Sequence, residues 1–188
     1  MGAYIVVLAA ARNARAASQI TETAERPAVA ARGKRHSMLD DIYNRRILEL
    51  AADIPRLGRL PEPDASATAH SKLCGSTVTV DVALGEDGRV ADFAHEVRAC
   101  ALGQASSSLM ARHVVGMRAD DVRALRETMR AMLKQDGPAP TGEHAEFAVF
   151  EPVRAFKARH ASTLLTFDAT VEALDRIAAE RGTATAAE

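Results

Sequence analysis

Between Thr77 and Leu84 apolar and polar residues alternate one by one. Val78, Val80, Val82 and Leu84 fall on one side, and Thr77, Thr79 and Asp81 on the other. A period of two predicts a half-buried strand. Gly85-Glu86-Asp87-Gly88 has the composition of a turn, and Arg89 to Ala99 reads as the return strand, with Ala91, Phe93 and Val97 on one face. Residues 76–99 are thus expected to form an antiparallel hairpin.

Elsewhere the apolar positions recur at helical spacing. Leu39, Ile42, Tyr43, Ile47, Leu50 and Ile54 make one stripe, which opens at Met38 and is stopped by Pro55. Residues 55–72 carry three prolines among small polar residues and are expected to be an extended connection. Ala101 to Val115 reads as a helix rich in small residues, closed by Gly116. A second helix opens at Asp120 or Asp121, with Val122, Leu125, Met129, Met132 and Leu133 as its stripe. Residues 136–142 are a loop, and Glu143 to Phe156, broken by Pro152, a short helix followed by an extended run. The last helix is expected from Ser162 to Glu180, with Leu164, Phe167, Val171, Leu174 and Ala178 facing inward. The plan is α+β: a small antiparallel sheet, the hairpin with room for a third strand, packed against about four to five helices.

Composition narrows the class. Of the 188 residues, 47% are apolar and 26% charged, which suits a globular core; aromatic residues are only 4%, so alanine and valine must do much of the packing. The net charge of −1 gives no electrostatic case for nucleic acid. It hides an asymmetry, because residues 1–37 carry +4 and the rest −5. The leader is Ala/Arg-rich without sustained period, and its short apolar stretch from Tyr4 to Ala11 has no preceding basic residue. Residues 1–37 are therefore expected to be a disordered leader upstream of a true start at Met38, residues 38–181 the folded domain, and residues 182–188 a disordered tail. No run is long enough to span a bilayer, and two cysteines are too few for a disulfide-stapled secreted module. A cytoplasmic protein without a membrane partner is expected.

The two cysteines are better placed than their number suggests. With the turn centred between Glu86 and Asp87, Cys74 falls within one residue of facing Cys100 across the open end of the hairpin. Cys74 lies in a loop beside Gly75, and Cys100 at a strand-to-helix junction. The free N–H groups and partial positive charge of a helix N-terminus favour thiolate, the form that binds metal and attacks sulfur. Gly75, Gly103, Ala105, Ser106 and Ser107 are expected to leave room for a bulky inorganic group and to allow close backbone approach. His160, placed just before the last helix, and His70, four residues before Cys74, are further candidate ligands; His95 and His113 fall within elements. Two thiolates and an imidazole suit zinc or an iron–sulfur cluster. A disulfide or redox pair fits the same spacing, and two buried apolar cysteines would also satisfy it.

Leu73-Cys74-Gly75, the hairpin, and the stretch from Ala99-Cys100-Ala101 through Gly103-Gln104-Ala105-Ser106-Ser107-Ser108 resemble the core of NifU-like iron–sulfur cluster scaffolds, the family that includes IscU- and SufU-type proteins. The resemblance covers roughly residues 38–180. It implies Cys74, Cys100 and His160 as ligands of a transient iron–sulfur cluster or of Zn2+. The family's aspartate after Cys-Gly is Ser76 here, and its third cysteine is Ala161. It further implies a scaffold rather than an enzyme, partnered by a cysteine desulfurase, by recipient apo-proteins and by a second copy of the chain as a homodimer. The alternatives are a zinc-binding sulfur-transfer partner, as the SufU-type length between Cys100 and His160 suggests, and a metal-free regulator of the assembly machinery. A Cys/His hydrolase is the enzyme alternative, but no orienting Asp/Asn or oxyanion motif stands out.

Overall fold

The structure, a computed structural model, describes residues 45–72 and 75–185. The leader, Met38 to Asn44, Leu73, Cys74 and residues 186–188 lie outside them. The elements in chain order are α1 (Arg45–Ala52), β1 (Ala65–His70), β2 (Thr77–Leu84), β3 (Val90–Arg98), α2 (Ala101–His113), α3 (Ala119–Lys134), a 3-10 segment (Gly142–Ala155) and α4 (Lys157–Thr185). The strands form one antiparallel sheet in the order β1-β2-β3. The α+β plan is therefore the observed one.

The expected hairpin is β2–β3. Val78, Val80 and Val82 are fully buried on the sheet's inner face, where α4 packs against β1 and β2. Burying each such side chain contributes about 1.5–3 kcal/mol. On β3 the inner face differs from expectation. Leu84 faces Val90, but Ala83 faces Asp92, so Ala91 is the extra residue of a bulge and is exposed. Val90 takes the buried place instead, tied to the α2–α3 turn by its N–H to Met117 O at 2.9 Å.

Residues 55–72 are more than a connection, because they contain β1. Its sequence is Ala-Ser-Ala-Thr-Ala-His, and the alternation is real: Ala67 is buried and Ala65 and Ala69 half-buried against the core, while Thr68 and His70 face outward. Before it, Arg59 crosses the outer face of the sheet to Asp81. That carboxylate accepts from Arg59 Nε (2.7 Å) and Nη2 (2.8 Å), Ser66 Oγ (2.5 Å) and Leu60 N–H (3.0 Å). Burial pushes the Asp81 carboxyl up, but these bonds outweigh it and hold it below the usual carboxylate range.

Helix α2 is the central helix. Leu102, Gly103, Ala105 to Ala111 are all buried, with α1 on one side and α4 on another. Helix α3 buries its expected stripe. The region read as a short helix and an extended run is one 3-10 segment. Its buried Phe147, Phe150 and Val153 recur every three residues, which is the 3-10 period. Helix α4 begins at Lys157, five residues before Ser162, and runs on to Thr185 rather than ending near Glu180. Its inner stripe finishes on Ile177, while Ala178 is exposed.

Candidate functional site

At the open end of the hairpin Thr77 pairs with His70 of β1 and with Arg98 of β3. Ser71 to Ser76, the loop joining β1 to β2, therefore emerges at the sheet end where β3 hands over to α2. Ser71 N–H donates to Ser76 O and Gly75 N–H to Ser71 O, both at 2.9 Å, and Gly75 has φ +68°, a left-handed conformation that suits glycine. Ser76 is buried. Cys74, within this loop by sequence, is outside the described residues; its neighbour Gly75 and Cys100 occupy the same end of the sheet.

Cys100 is a half-buried free thiol at the N-cap of α2, with extended backbone (φ −67°, ψ 168°). Its side chain does not cap the helix by a hydrogen bond. Sγ instead lies 2.9 Å from the hydroxyl of Ser162 on α4. Ser162 is a residue the sequence reading passed over. The small residues at the start of α2 explain the contact. A Cβ built on Gly103 would lie 3.1 Å from Ser162 Oγ, 3.2 Å from Ser162 O and 2.7 Å from Ala99 Cβ. Ser106 Oγ donates to Thr163 O at 2.6 Å. The small side chains therefore bring α4 close; the room expected beside Gly103 and Ser106 is filled by that helix, and Ala105 and Ser107 are themselves fully buried.

His160 lies one turn inside α4, not just before it. It is 6% exposed, and its Nε2 faces the carbonyl oxygens of Val153 (3.2 Å) and Arg154 (3.0 Å). Carbonyls only accept, so Nε2 carries a proton. His160 and Ser162 are two positions apart, about 200° of helical rotation. The imidazole consequently turns toward the 3-10 segment while Ser162 turns toward Cys100. His160 and Ala161 line a cavity of about 460 Å3 together with Lys134, Asp136, Arg154 and Lys157.

The other histidines are placed differently. His70 is exposed at the end of β1, with Nδ1 3.1 Å from Thr77 Oγ1. His95 is fully buried on β3; its Nε2 bonds Pro55 O at 3.0 Å, and its Nδ1 has no hydrogen-bond partner among the described residues. Burial lowers its pKa from 6.5 to about 4, against the opposing pull of the Pro55 carbonyl. His113 ends α2 and lines the larger cavity, about 770 Å3, which holds none of Cys100, His160 and Ser162. Among the described residues no three His, Cys, Asp or Glu side chains form a metal-binding group, and no helix is long and apolar enough to cross a membrane.

Residues 42–163 match the family described as the NifU-like N terminal domain. The chain is 26% identical over 136 residues to the iron-sulfur cluster assembly scaffold protein IscU of Thermotoga maritima, spanning 72% of this chain and 94% of that protein. It is 30% identical over 110 residues to the scaffold protein of the same name from Streptococcus pyogenes serotype M1, spanning 58% and 68%. Among solved structures, the N-terminal part of a nitrogen-fixing NifU-like protein from Brucella abortus matches with a TM-score of 0.72 and 63% identity, over 74% of this chain and 96% of that one. A family match over most of the folded region, carried by a shared fold, places the chain: it belongs to the NifU-like N-terminal domain family.

Proposed function

We infer that this protein is an iron–sulfur cluster assembly scaffold, which accepts sulfur and iron, holds a cluster briefly and passes it to recipient apo-proteins. The observation that carries the reading is Cys100: a free, half-buried thiol at a helix N-terminus, at the sheet end shared by the Cys74-bearing loop, in a chain whose relatives are named as such scaffolds. Cys74 and Cys100 are the sulfur acceptors and cluster ligands. His160 is the third ligand; here Val153 and Arg154 hold its Nε2–H, and it ligates only once those bonds are given up. The ring must swing about the α4 axis to join Cys100, because the two now face different sides of that helix.

The cluster is cargo, and the chain works as a carrier rather than a catalyst. A cysteine desulfurase is the sulfur donor: a thiolate of the scaffold attacks the terminal sulfur of the donor's persulfide, and the donor cysteine leaves as thiolate. A second copy of the chain is the candidate source of further ligands, since Ser76 and Ala161 supply none. Mass spectrometry after incubation with a cysteine desulfurase and cysteine tests this. One added sulfur on Cys74 or Cys100, lost in Cys74→Ala or Cys100→Ala respectively, is the expected result. Unmodified protein under conditions that load a known scaffold would rule out the acceptor role.

A further inference from the structure

We propose that the unpaired cations gathered at the Cys100 end of the sheet, Lys72, Arg98, Lys134, Lys157 and Arg159, form a docking surface for an acidic segment of a protein partner. The proposal rests on the scaffold reading for a partner's coming to this end, and adds the chemistry of the surface which that partner presents.

The pattern of ion pairs carries it. Most arginines sit against a carboxylate: Arg59 Nε is 2.7 Å from Asp81, Arg112 Nη2 2.6 Å from Asp53, and Arg123 Nη2 2.7 Å from Asp175. Six Lys/Arg side chains have no ion-pair partner among the described residues: Lys72, Arg98, Arg118, Lys134, Lys157 and Arg159. Five of the six fall on segments that meet at one end. Lys72 is exposed in the loop joining β1 to β2, and Arg98 is exposed opposite Thr77 at the open end of the hairpin. Arg159 precedes Ser162 by about one turn of α4, and Ser162 touches Cys100. Lys157 opens the same helix and, with Lys134, lines the cavity of about 460 Å3 beside His160. Arg154 adds a third cation there, and the one carboxylate of that lining, Asp136, is 3.8 Å from Arg154. Arg118 is the exception. It lies at the opposite end of the sheet, where it bridges to Arg89 just ahead of β3.

Like charges gathered on one face repel, and an acidic partner relieves that repulsion. The chain beyond residue 37 carries −5 overall, so the cationic end stands out from an acidic body. That contrast steers an acidic surface toward this end and away from the rest. A phosphate polymer or an anionic lipid surface would meet the same charge, but other features favour protein. No aromatic side chain is exposed among the described residues, so bases have no stacking platform. The exposed large apolar side chains, Leu48, Leu57 and Val115, lie on none of the segments that carry the cluster, so none is placed there to enter lipid.

The test is fluorescence anisotropy of a labelled peptide of alternating glutamate and glycine, titrated with the full chain free of iron and sulfide. Binding is expected, and is expected to weaken with added salt. Lys134→Glu combined with Lys157→Glu is expected to weaken it about tenfold, and Arg98→Glu about threefold. Arg118→Glu makes the same change of charge at the opposite end and is expected to stay within about twofold of the starting protein. Equal losses for Arg98→Glu and Arg118→Glu would show that net charge alone matters, and that result, or no binding at low salt, would overturn the proposal. Tighter binding of an oligothymidylate or of phosphatidylserine vesicles than of the peptide would overturn it in favour of nucleic acid or a membrane. Self-association abolished by Lys134→Glu with Lys157→Glu would overturn it in favour of a second copy of the chain. Should that double variant not fold, Lys134→Gln with Lys157→Gln removes the charges without reversing them, with about a threefold loss expected and no loss counting against the surface. Peptide binding is read without a cluster, so its failure and a failure of the scaffold reading are separate results.

Discussion

His95 shows how far a single residue's setting departs from what its position in a strand suggests. It alternates onto the inner face of β3, meets Phe93 edge-on at 5.2 Å, and its ring donates from Nε2 to Pro55 O. With the folded pKa depressed to about 4 against 6.5 unfolded, the unfolded chain takes up the proton first as pH falls. Stability is full above about pH 6.5, declines between pH 6.5 and 4, and is flat below, for a total of about 3 kcal/mol from this group. Urea unfolding at pH 7 and pH 4.5 checks this, and His95→Gln is expected to flatten the slope over that interval. At the same scale, Cys100 was legible from the hairpin and its helix junction. Ser162 was not, because a serine followed by threonine reads as a helix start, whereas here it sits inside α4 with its hydroxyl satisfied by a residue 62 positions away. His160 was legible as a residue type near the right helix, but its orientation follows from the 3-10 segment, whose carbonyls no spacing rule locates.

At the level of elements, the alternating valines of β2 and the stripe of α3 were readable because large apolar residues mark their period. β1 alternates just as regularly, but its inward residues are alanines, which carry weak strand preference, and three prolines precede it in sequence. The 3-10 segment was misread for a related reason: Phe147, Phe150 and Val153 fit the start of an α-helical stripe until Val153 arrives one residue too early for it, and Pro152 looks like a break. The early residues of α2 are small because α4 lies on them, which the sequence reading took as space for a ligand. Gly103→Ala puts a methyl group 2.7 Å from Ala99 Cβ and 3.1 Å from Ser162 Oγ. It is expected to cost about 1–3 kcal/mol through overpacking, although alanine is the better helix former. Chemical denaturation measures this; an unchanged or raised midpoint would show that the two helices are not closely fitted.

For the whole molecule, the topology brings three candidate-bearing segments to one end, while the His160 ring itself faces the 3-10 segment. The β1–β2 loop, the β3–α2 junction and the first turns of α4 come from three separate parts of the chain, and the antiparallel sheet with its central helix brings the described parts of them together. Four of the five phenylalanines, Phe93, Phe147, Phe150 and Phe167, are buried in the core, so few aromatics suffice where alanine, serine and glycine let helices approach closely. The fold class was legible because it needs only the hairpin and the helical stripes. The proposed ligand set rests on the family resemblance, since thiols and imidazoles separated by 26 and 60 residues have no spacing signature of their own. The central claim is that this set holds an iron–sulfur cluster, and anaerobic reconstitution with ferrous iron, sulfide and a thiol reductant tests it most directly. Visible charge-transfer absorbance with bound iron and sulfide, both lost in Cys74→Ala and in Cys100→Ala, is the predicted result; a colourless protein that retains neither iron nor sulfide would contradict it.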